Sequence, residues 1–437
     1  MTTTRKLFGT DGVRGEAGTF LSAELATALG RATTATLEAE RPQVLIVRDT
    51  RESGPMLEAA LAAGIAAAGG DALLGGVLPT PAAAILVKRL GLDLAAVVSA
   101  SHNPFYDNGI KFFDSRGVKL ADAVEAEIEA KIDEAPAASH PGHVRELNGG
   151  LDDYLRELER AFPLDLSGRK VVLDCANGAT YRAAPAIFER LGAGVEALAV
   201  EPDGRNINAG CGSTHIDSLA ERVAASEAAI GFAFDGDGDR VLAVDGGGRV
   251  HDGDELIALS ALGMAKRGEL HGGVVVTVMS NFGFHQAMKE AGVEVAVTQV
   301  GDRYVIDEMQ RRGWSLGGEQ SGHIIASDFV STGDGIAAAL MTMRELGEAR
   351  LEDATPMRKL PQVLVNVKVA DREAIQGATA VWEAVEREEE ALGDRGRVLL
   401  RPSGTEPLVR VMAEAPTPEE ADAVCRRLVD LVRSELG

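Results

Sequence analysis

At 437 residues the chain is longer than a single hydrophobic core usually organises, so several domains are expected. A composition of 45% hydrophobic and 25% charged residues excludes intrinsic disorder, and 4% aromatics leaves cores of small aliphatic side chains, as in α/β proteins. The formal net charge of −23 argues against nucleic acid and anionic membrane as partners, since both are polyanions.

The opening MTTTRKLFGT has no apolar targeting core, and the most apolar stretch, Ala59 to Leu78, is broken by Asp71 and several glycines. Cys175, Cys211 and Cys425 form no close-spaced metal pair and suit a reducing compartment, so a cytoplasmic protein is expected. The first clear strand is VLIV at 44–47, followed through Arg48, Asp49, Thr50 and Arg51 by a helix from Pro55 to Ala68. DALLGGVL at 71–78 and AAVVSA at 95–100 continue the sheet and lead into PTP and SHNP loops. A second cycle holds strands at 170–174 and 229–234, a helix near Ala179 to Leu191, and VLAVD at 241–245 beside the second strand. A third has strands at 273–278 and 293–298 around a helix from Phe282 to Ala291. The end reads as a small α+β domain: QVLVNVKV at 362–369, a helix over DREAIQGATAVWEAVEREEEAL, strands RVLLRPSGT and LVRVMAE, and a closing helix from Pro418. Joints near 133–150, 245–255 and just before Gln362 give domains 1–150, 151–252, 253–361 and 362–437. Each α/β cycle delivers a polar loop at the carboxyl end of a strand, where open α/β sheets place ligands.

Four loops carry chemistry. In DGDGDR, the carboxylates of Asp235, Asp237 and Asp239 would repel unless a hard divalent cation joined them. It is not an EF-hand, because Arg240 and Gly246 stand where that loop needs glycine and glutamate. An isolated DxDxD reads equally as a solvated acidic turn, and the apolar strand before it favours metal. SASHNPFYDNGIKFF crowds Ser99, Ser101, His102, Asn103, Asn108 and Lys111 together; no GxSxG elbow surrounds Ser101, and His102, as its immediate neighbour, should point its ring away. RPSGTEPLVR offers Arg401, Ser403, Gly404, Thr405 and Arg410 as phosphate donors, against the plain alternative of arginines in a solvated turn. GGEQSGH alternates Glu319, Ser321 and His323 on an extended segment that could grip sugar hydroxyls, or is a glycine-rich turn with an incidental histidine.

Together and in this order, SASHNP, DGDGDR, GGEQSGH and RPSGTEP resemble the loops of the α-D-phosphohexomutase superfamily along essentially the whole chain. FGTDGVRG at 8–15 and SHNPFYDNGIKFF are similar to its amino-sugar branch rather than to the mannose or glucose branches. The resemblance implies three similar α/β domains with mixed sheets and a smaller C-terminal α+β domain around a central cleft. It implies an isomerase in which phosphorylated Ser101 converts glucosamine 6-phosphate to glucosamine 1-phosphate through a 1,6-bisphosphate, supplying cell-wall precursor. Ser101, Asp235, Asp237 and Asp239 would hold one Mg²⁺; Glu319, Ser321, His323, Asp302 and Arg303 would bind the sugar; Arg401, Ser403, Gly404, Thr405 and Arg410 the distal phosphate. Lys111 and His323 are acid/base candidates, and Arg14 and Arg240 steady charge. A hexose bisphosphate primer, an unknown priming kinase and a homodimer complete the expectation. The alternatives are the same chemistry on mannose or glucose phosphates, and a metal-dependent sugar phosphatase.

Overall fold

The computed structural model describes residues 7–9, 11–133, 138–354, 356–403 and 407–437. The chain forms two compact units, Met1–Met279 with Val293–Thr355, and Ser280–Gly292 with Pro356–Gly437.

The first unit holds three sheets. Strands β1 (Val13–Glu16), β2 (Gln43–Arg48), β3 (Asp71–Val77), β4 (Leu94–Val98), β5 (Asp107–Asp114) and β6 (Val144–Glu146) lie in the order β1-β5-β4-β2-β3-β6. The β4-β2-β3-β6 part is parallel, while β5 returns antiparallel beside β4 and β1. Val44 to Val47 are all buried, as a parallel strand covered by helices on both faces requires. Two of those helices, Ala23–Thr34 and Gly54–Ala67, approach so closely that a Cβ on Gly64 would stand 2.1 Å from the Thr27 carbonyl oxygen.

The second sheet orders β7 (Lys170–Asp174), β8 (Gly194–Leu198), β9 (Ile230–Phe234), β10 (Val241–Asp245) and β11 (Val250–His251) as β11-β10-β9-β7-β8, with β10 antiparallel to β9. The third orders β12 (Val274–Thr277), β13 (Val295–Thr298), β14 (Leu316–Gly318) and β15 (Ile324–Ala326) as β13-β12-β14-β15.

The second unit carries an antiparallel sheet of β16 (Gln362–Lys368), β17 (Arg397–Pro402) and β18 (Leu408–Glu414), in the order β16-β18-β17. Val409 and Val411 of β18 share a core with Val381 and Leu428 of the helices Thr379–Leu392 and Pro418–Leu436.

The mixed α/β architecture with a smaller α+β ending is the expected one. Two elements differ from expectation. The helix read over 371–392 is a 3₁₀ turn, Arg372–Gly377, followed by the α-helix, because Gly377 interrupts the pattern. The helix read from Ala179 begins at Ala183, since Ala179 to Arg182 form turns whose Ala179 N–H donates to Gly236 O. Among the described residues no helix is long and apolar enough to cross a membrane.

Candidate active site

Because β2 and β4 pair in parallel with Arg48 opposite Val98, their carboxyl ends open side by side, and the loops after both strands meet there. The SASHNP loop leaves β4 with Ser101 at φ +52°, a left-handed conformation rare for a residue with a side chain. The Ser101 N–H donates to Ser99 Oγ (2.9 Å), and Ser99 donates to Asp49 Oδ2 (2.6 Å). Arg51 Nη2 (2.8 Å) and Asn208 Nδ2 (2.9 Å) both donate to Ser101 O. So held, the buried hydroxyl donates to Asp235 Oδ2 at 2.5 Å. His102 departs from expectation: the left-handed turn leaves its Nδ1 3.3 Å from Ser101 Oγ rather than turned away.

The DGDGDR loop bridges β9 and β10. Asp235, Asp237 and Asp239 are all buried, and one oxygen of each lies within 4.8 Å of the others. Burial, then its Asp239 and Asp237 neighbours, push the Asp235 carboxyl well above the usual range. Burial would raise Asp237 too, but the Lys111 ammonium (2.9 Å) and the Thr80 hydroxyl (2.7 Å) hold it below. Asp237 Oδ1 and Asp239 Oδ1 are buried with no hydrogen-bond partner among the described residues. Buried, oxygen-only and partly unpartnered, this donor set fits a hard divalent cation. Gly236 is required by proximity: a Cβ there would stand 2.5 Å from Ser101 O and 2.7 Å from Asn208 Nδ2. Behind the loop, Gly335 at the start of the helix Gly335–Leu346 donates to Gly238 O (2.9 Å). That helix is capped by Asp334, which burial pushes up to about 7 and which accepts from the Tyr154 hydroxyl.

Around the aspartates runs a circuit of opposite charges. Lys111 Nζ lies 2.9 Å from Asp237, 3.6 Å from Asp11 and 3.8 Å from Asp239. Burial alone would favour a neutral amine, but these three carboxylates keep Lys111 charged well above the usual lysine range. Asp11 also meets Lys119 (2.5 Å) and Arg14, and Lys119 reaches Asp302. His323 Nε2 sits 3.9 Å from Asp302 and 4.0 Å from Asp239, and accepts from Gly333 N–H (3.2 Å). Arg240 lies 3.8 Å from Asp239. The charged forms of Arg14 and Arg240 are held despite burial, by Asp11 in the first case and Asp239 in the second.

The GGEQSGH turn joins β14 to β15. Glu319 Oε1 accepts from Gly301 N–H (3.0 Å) at the turn into the helix Asp302–Arg312, while Ser321 is exposed. Arg303 faces elsewhere: its guanidinium binds Leu120 O, Asp122 and Glu125. In the second unit Arg401 and Arg410 stand directly opposite each other on β17 and β18, and burial, then Arg410, lower the pKa of Arg401. Like charges so placed destabilise a strand pair, and Arg410 Nε is buried with no partner among the described residues. Ser403 is buried beside them, its N–H on Leu408 O; Gly404 and Thr405 lie outside the described residues.

Asp11, Asp49, Arg51, Thr80, Lys119 and Asn208 were not singled out from sequence. Thr80 sits in the strand-end loop PTP, Asp49 and Arg51 in RDTR and Asp11 in FGTDGVRG, and that placement is their only signal.

Four family models match the chain: phosphoglucomutase/phosphomannomutase alpha/beta/alpha domain I over residues 5–139, domain II over 152–248, domain III over 252–360 and the C-terminal domain over 364–431. A phosphoglucosamine mutase of Pelotomaculum thermopropionicum is 50% identical over 439 residues, covering 98% of this chain and 99% of its own length. That of Moorella thermoacetica is 51% identical over 432 residues, covering 96% and 97%. Among solved structures, a phosphoglucomutase/phosphomannomutase family protein of Burkholderia thailandensis shares the fold with TM-score 0.84 and 24% identity, over 98% of this chain and 97% of that one. Aspergillus fumigatus N-acetylphosphoglucosamine mutase, solved with GlcNAc-6P and magnesium, superposes with TM-score 0.66 and 19% identity, over 99% and 96%. The chain belongs to the phosphoglucomutase/phosphomannomutase family, on its phosphoglucosamine mutase branch.

Proposed function

We propose that this chain interconverts glucosamine 6-phosphate and glucosamine 1-phosphate through a phosphoryl group carried on Ser101. The observation that carries this reading is the Ser101 hydroxyl, buried and 2.5 Å from one carboxylate of a three-aspartate loop. Phospho-Ser101 passes its phosphoryl group to O1 of glucosamine 6-phosphate, giving the 1,6-bisphosphate and free serine. The bisphosphate turns over, its 6-phosphoryl group returns to Ser101, and glucosamine 1-phosphate leaves. In the first transfer the O1 hydroxyl proton ends on the departing serine oxygen, and in the second the Ser101 proton ends on O6; Asp235 Oδ2, against Ser101 Oγ, is the atom placed to pass it on.

Asp235, Asp237 and Asp239 would hold one Mg²⁺ per chain, which when bound offsets phosphoryl charge. The transfer state is loose, so positioning and charge stabilisation carry most of the catalysis. Lys111, kept cationic by its three carboxylates, therefore serves as a fixed positive charge rather than a base. Arg14 and Arg240 are cations of the same kind. His323, its Nε2 occupied by Gly333 N–H, orients the turn that presents Glu319 and Ser321 to the sugar, with Asp302 alongside. Arg303 is spent on Leu120, Asp122 and Glu125, so we leave it out of the sugar set. Arg401, Ser403 and Arg410, with Gly404 and Thr405, bind the phosphate that is not reacting, an anion that would relieve the opposed guanidinium groups.

The division at residues 150, 252 and 361 belongs to this reading and keeps each sheet within one segment, while Ser280–Gly292 of the third segment packs with the fourth. A hexose 1,6-bisphosphate primer, a homodimer and cytoplasmic residence belong to it as well, the last in keeping with three buried free cysteines. The test is ³¹P NMR of glucosamine 6-phosphate with enzyme, Mg²⁺ and primer, beside mannose and glucose 1-phosphates, with mass spectrometry of Ser101. Glucosamine 1-phosphate should form, and Ser101→Ala should abolish both product and phosphopeptide. Preference for the neutral hexoses, release of inorganic phosphate instead of isomer, or wild-type turnover by Ser101→Ala would overturn the reading.

A further inference from the structure

We propose that Arg51 and Asn208 are positioning residues that together lock Ser101 in its left-handed turn, so that its hydroxyl faces Asp235. The inference rests on Ser101 being the phosphoryl carrier, and goes beyond it by saying what aims the carrier.

Arg51 is fully buried, and every one of its five side-chain N–H groups has an acceptor. Nε donates to Asp49 Oδ2 (2.8 Å), Nη2 to Ser101 O and Asn103 O (both 2.8 Å), and Nη1 to Pro104 O and to Asp107 O (2.9 Å). Four backbone carbonyls, three from the loop and one from the first residue of β5, thus converge on one guanidinium, and no donor is left over for substrate. Asn208 comes from the far side, out of the loop between β8 and β9, itself at φ +58°. Its Nδ2 donates to the same two carbonyls, Ser101 O (2.9 Å) and Asn103 O (3.2 Å). Gly236 of the aspartate loop lies against this junction, with no room for a methyl group.

A serine in the left-handed region returns to commoner backbone angles unless its surroundings over-determine it. Here its N–H is fixed by Ser99 and its carbonyl by Arg51 and Asn208. Rotation of either peptide would swing Oγ away from Asp235. A lysine at 51 has three donors on one nitrogen and cannot reach the five acceptors of the planar fork.

The experiment compares Asn208→Gly, Arg51→Lys, the double variant and Ser101→Ala. Each is assayed by steady-state kinetics on glucosamine 6-phosphate, thermal melting and the phosphorylated fraction of Ser101. Glycine keeps the left-handed backbone of residue 208 and removes only the amide. We expect Asn208→Gly to lower kcat about 10- to 100-fold with KM changed less than about twofold and the melting temperature nearly unchanged. Arg51→Lys should act in the same direction, and the double variant should fall short of the product of the two losses, because both residues act on the same carbonyls. Wild-type kcat in Asn208→Gly, a loss explained entirely by a smaller folded fraction, or multiplicative losses in the double variant would overturn the proposal. If Arg51→Lys does not fold, Asn208→Gly alone decides. Full activity in Ser101→Ala would sink the carrier reading itself, whereas an inactive Ser101→Ala beside a wild-type Asn208→Gly removes only the clamp.

Discussion

Gly236 shows how little freedom a single position has here, because the smallest side chain would intrude on the Ser101 carbonyl and the Asn208 amide together. Gly236→Ala should fold, weaken Mg²⁺ binding and lower kcat by about 100-fold, the usual consequence of a displacement near 1 Å, and a metal titration beside kinetics checks it. A second residue responds to pH. His251 is buried with Nε2 2.9 Å from Asp245 and Nδ1 3.2 Å from Glu255, the latter outside hydrogen-bonding geometry; Arg249 is the other charge nearby. Burial alone would lower its pKa, but the flanking carboxylates raise it above the ordinary histidine value. A raised folded pKa contributes stability in full below the unfolded value of about 6.5 and loses it as pH rises through the folded one. The stability gap between wild type and His251→Gln in urea should therefore shrink as pH climbs from 6 toward 9. Residues such as Asp235, Asp237 and Asp239 were legible in the sequence because like charges crowded in one loop need an explanation. Arg51 was not, because four of its five acceptors are backbone carbonyls some fifty residues on, and carbonyls leave no mark in a sequence.

Several strands were legible because burial is two-sided. VLIV, IGFAF and VVVT read as strands because both faces are covered, whereas Gly194–Leu198, only partly buried, shows no such run and went unread. The helix Gly253–Arg267 begins in a capping box, with the Asp252 carboxylate on Glu255 N–H and the Glu255 carboxylate on Asp252 N–H. Asp252→Ala should cost about 1 kcal/mol of stability by denaturant titration, with KM unchanged, because it strips a buried N-terminal amide of its acceptor.

For the whole molecule, the three sheets of the first unit each send charges to one place: Asp11, Lys111 and Lys119 from the first, Asp237 and Asp239 from the second, Asp302 and His323 from the third. The aspartate and GGEQSGH loops were legible, and the resemblance implied a common cleft, but the Lys119 to Asp302 pairing was not legible, since it joins residues nearly two hundred apart. A cation entering the aspartates binds the folded chain and not the unfolded one, so Mg²⁺ should raise the melting temperature by an amount equivalent to about 2.7 kcal/mol at 100 times its Kd. EDTA should reverse the shift and Asp237→Asn should remove most of it. The Ser101 to Asp235 hydrogen bond has one more consequence, for enzyme that has lost its cargo. If the bisphosphate escapes before the second transfer, the bare hydroxyl still has an acceptor 2.5 Å away, so the serine itself is not left buried and unpaired. A loss of the phosphoryl group therefore need not cost the fold a buried hydrogen bond at this position.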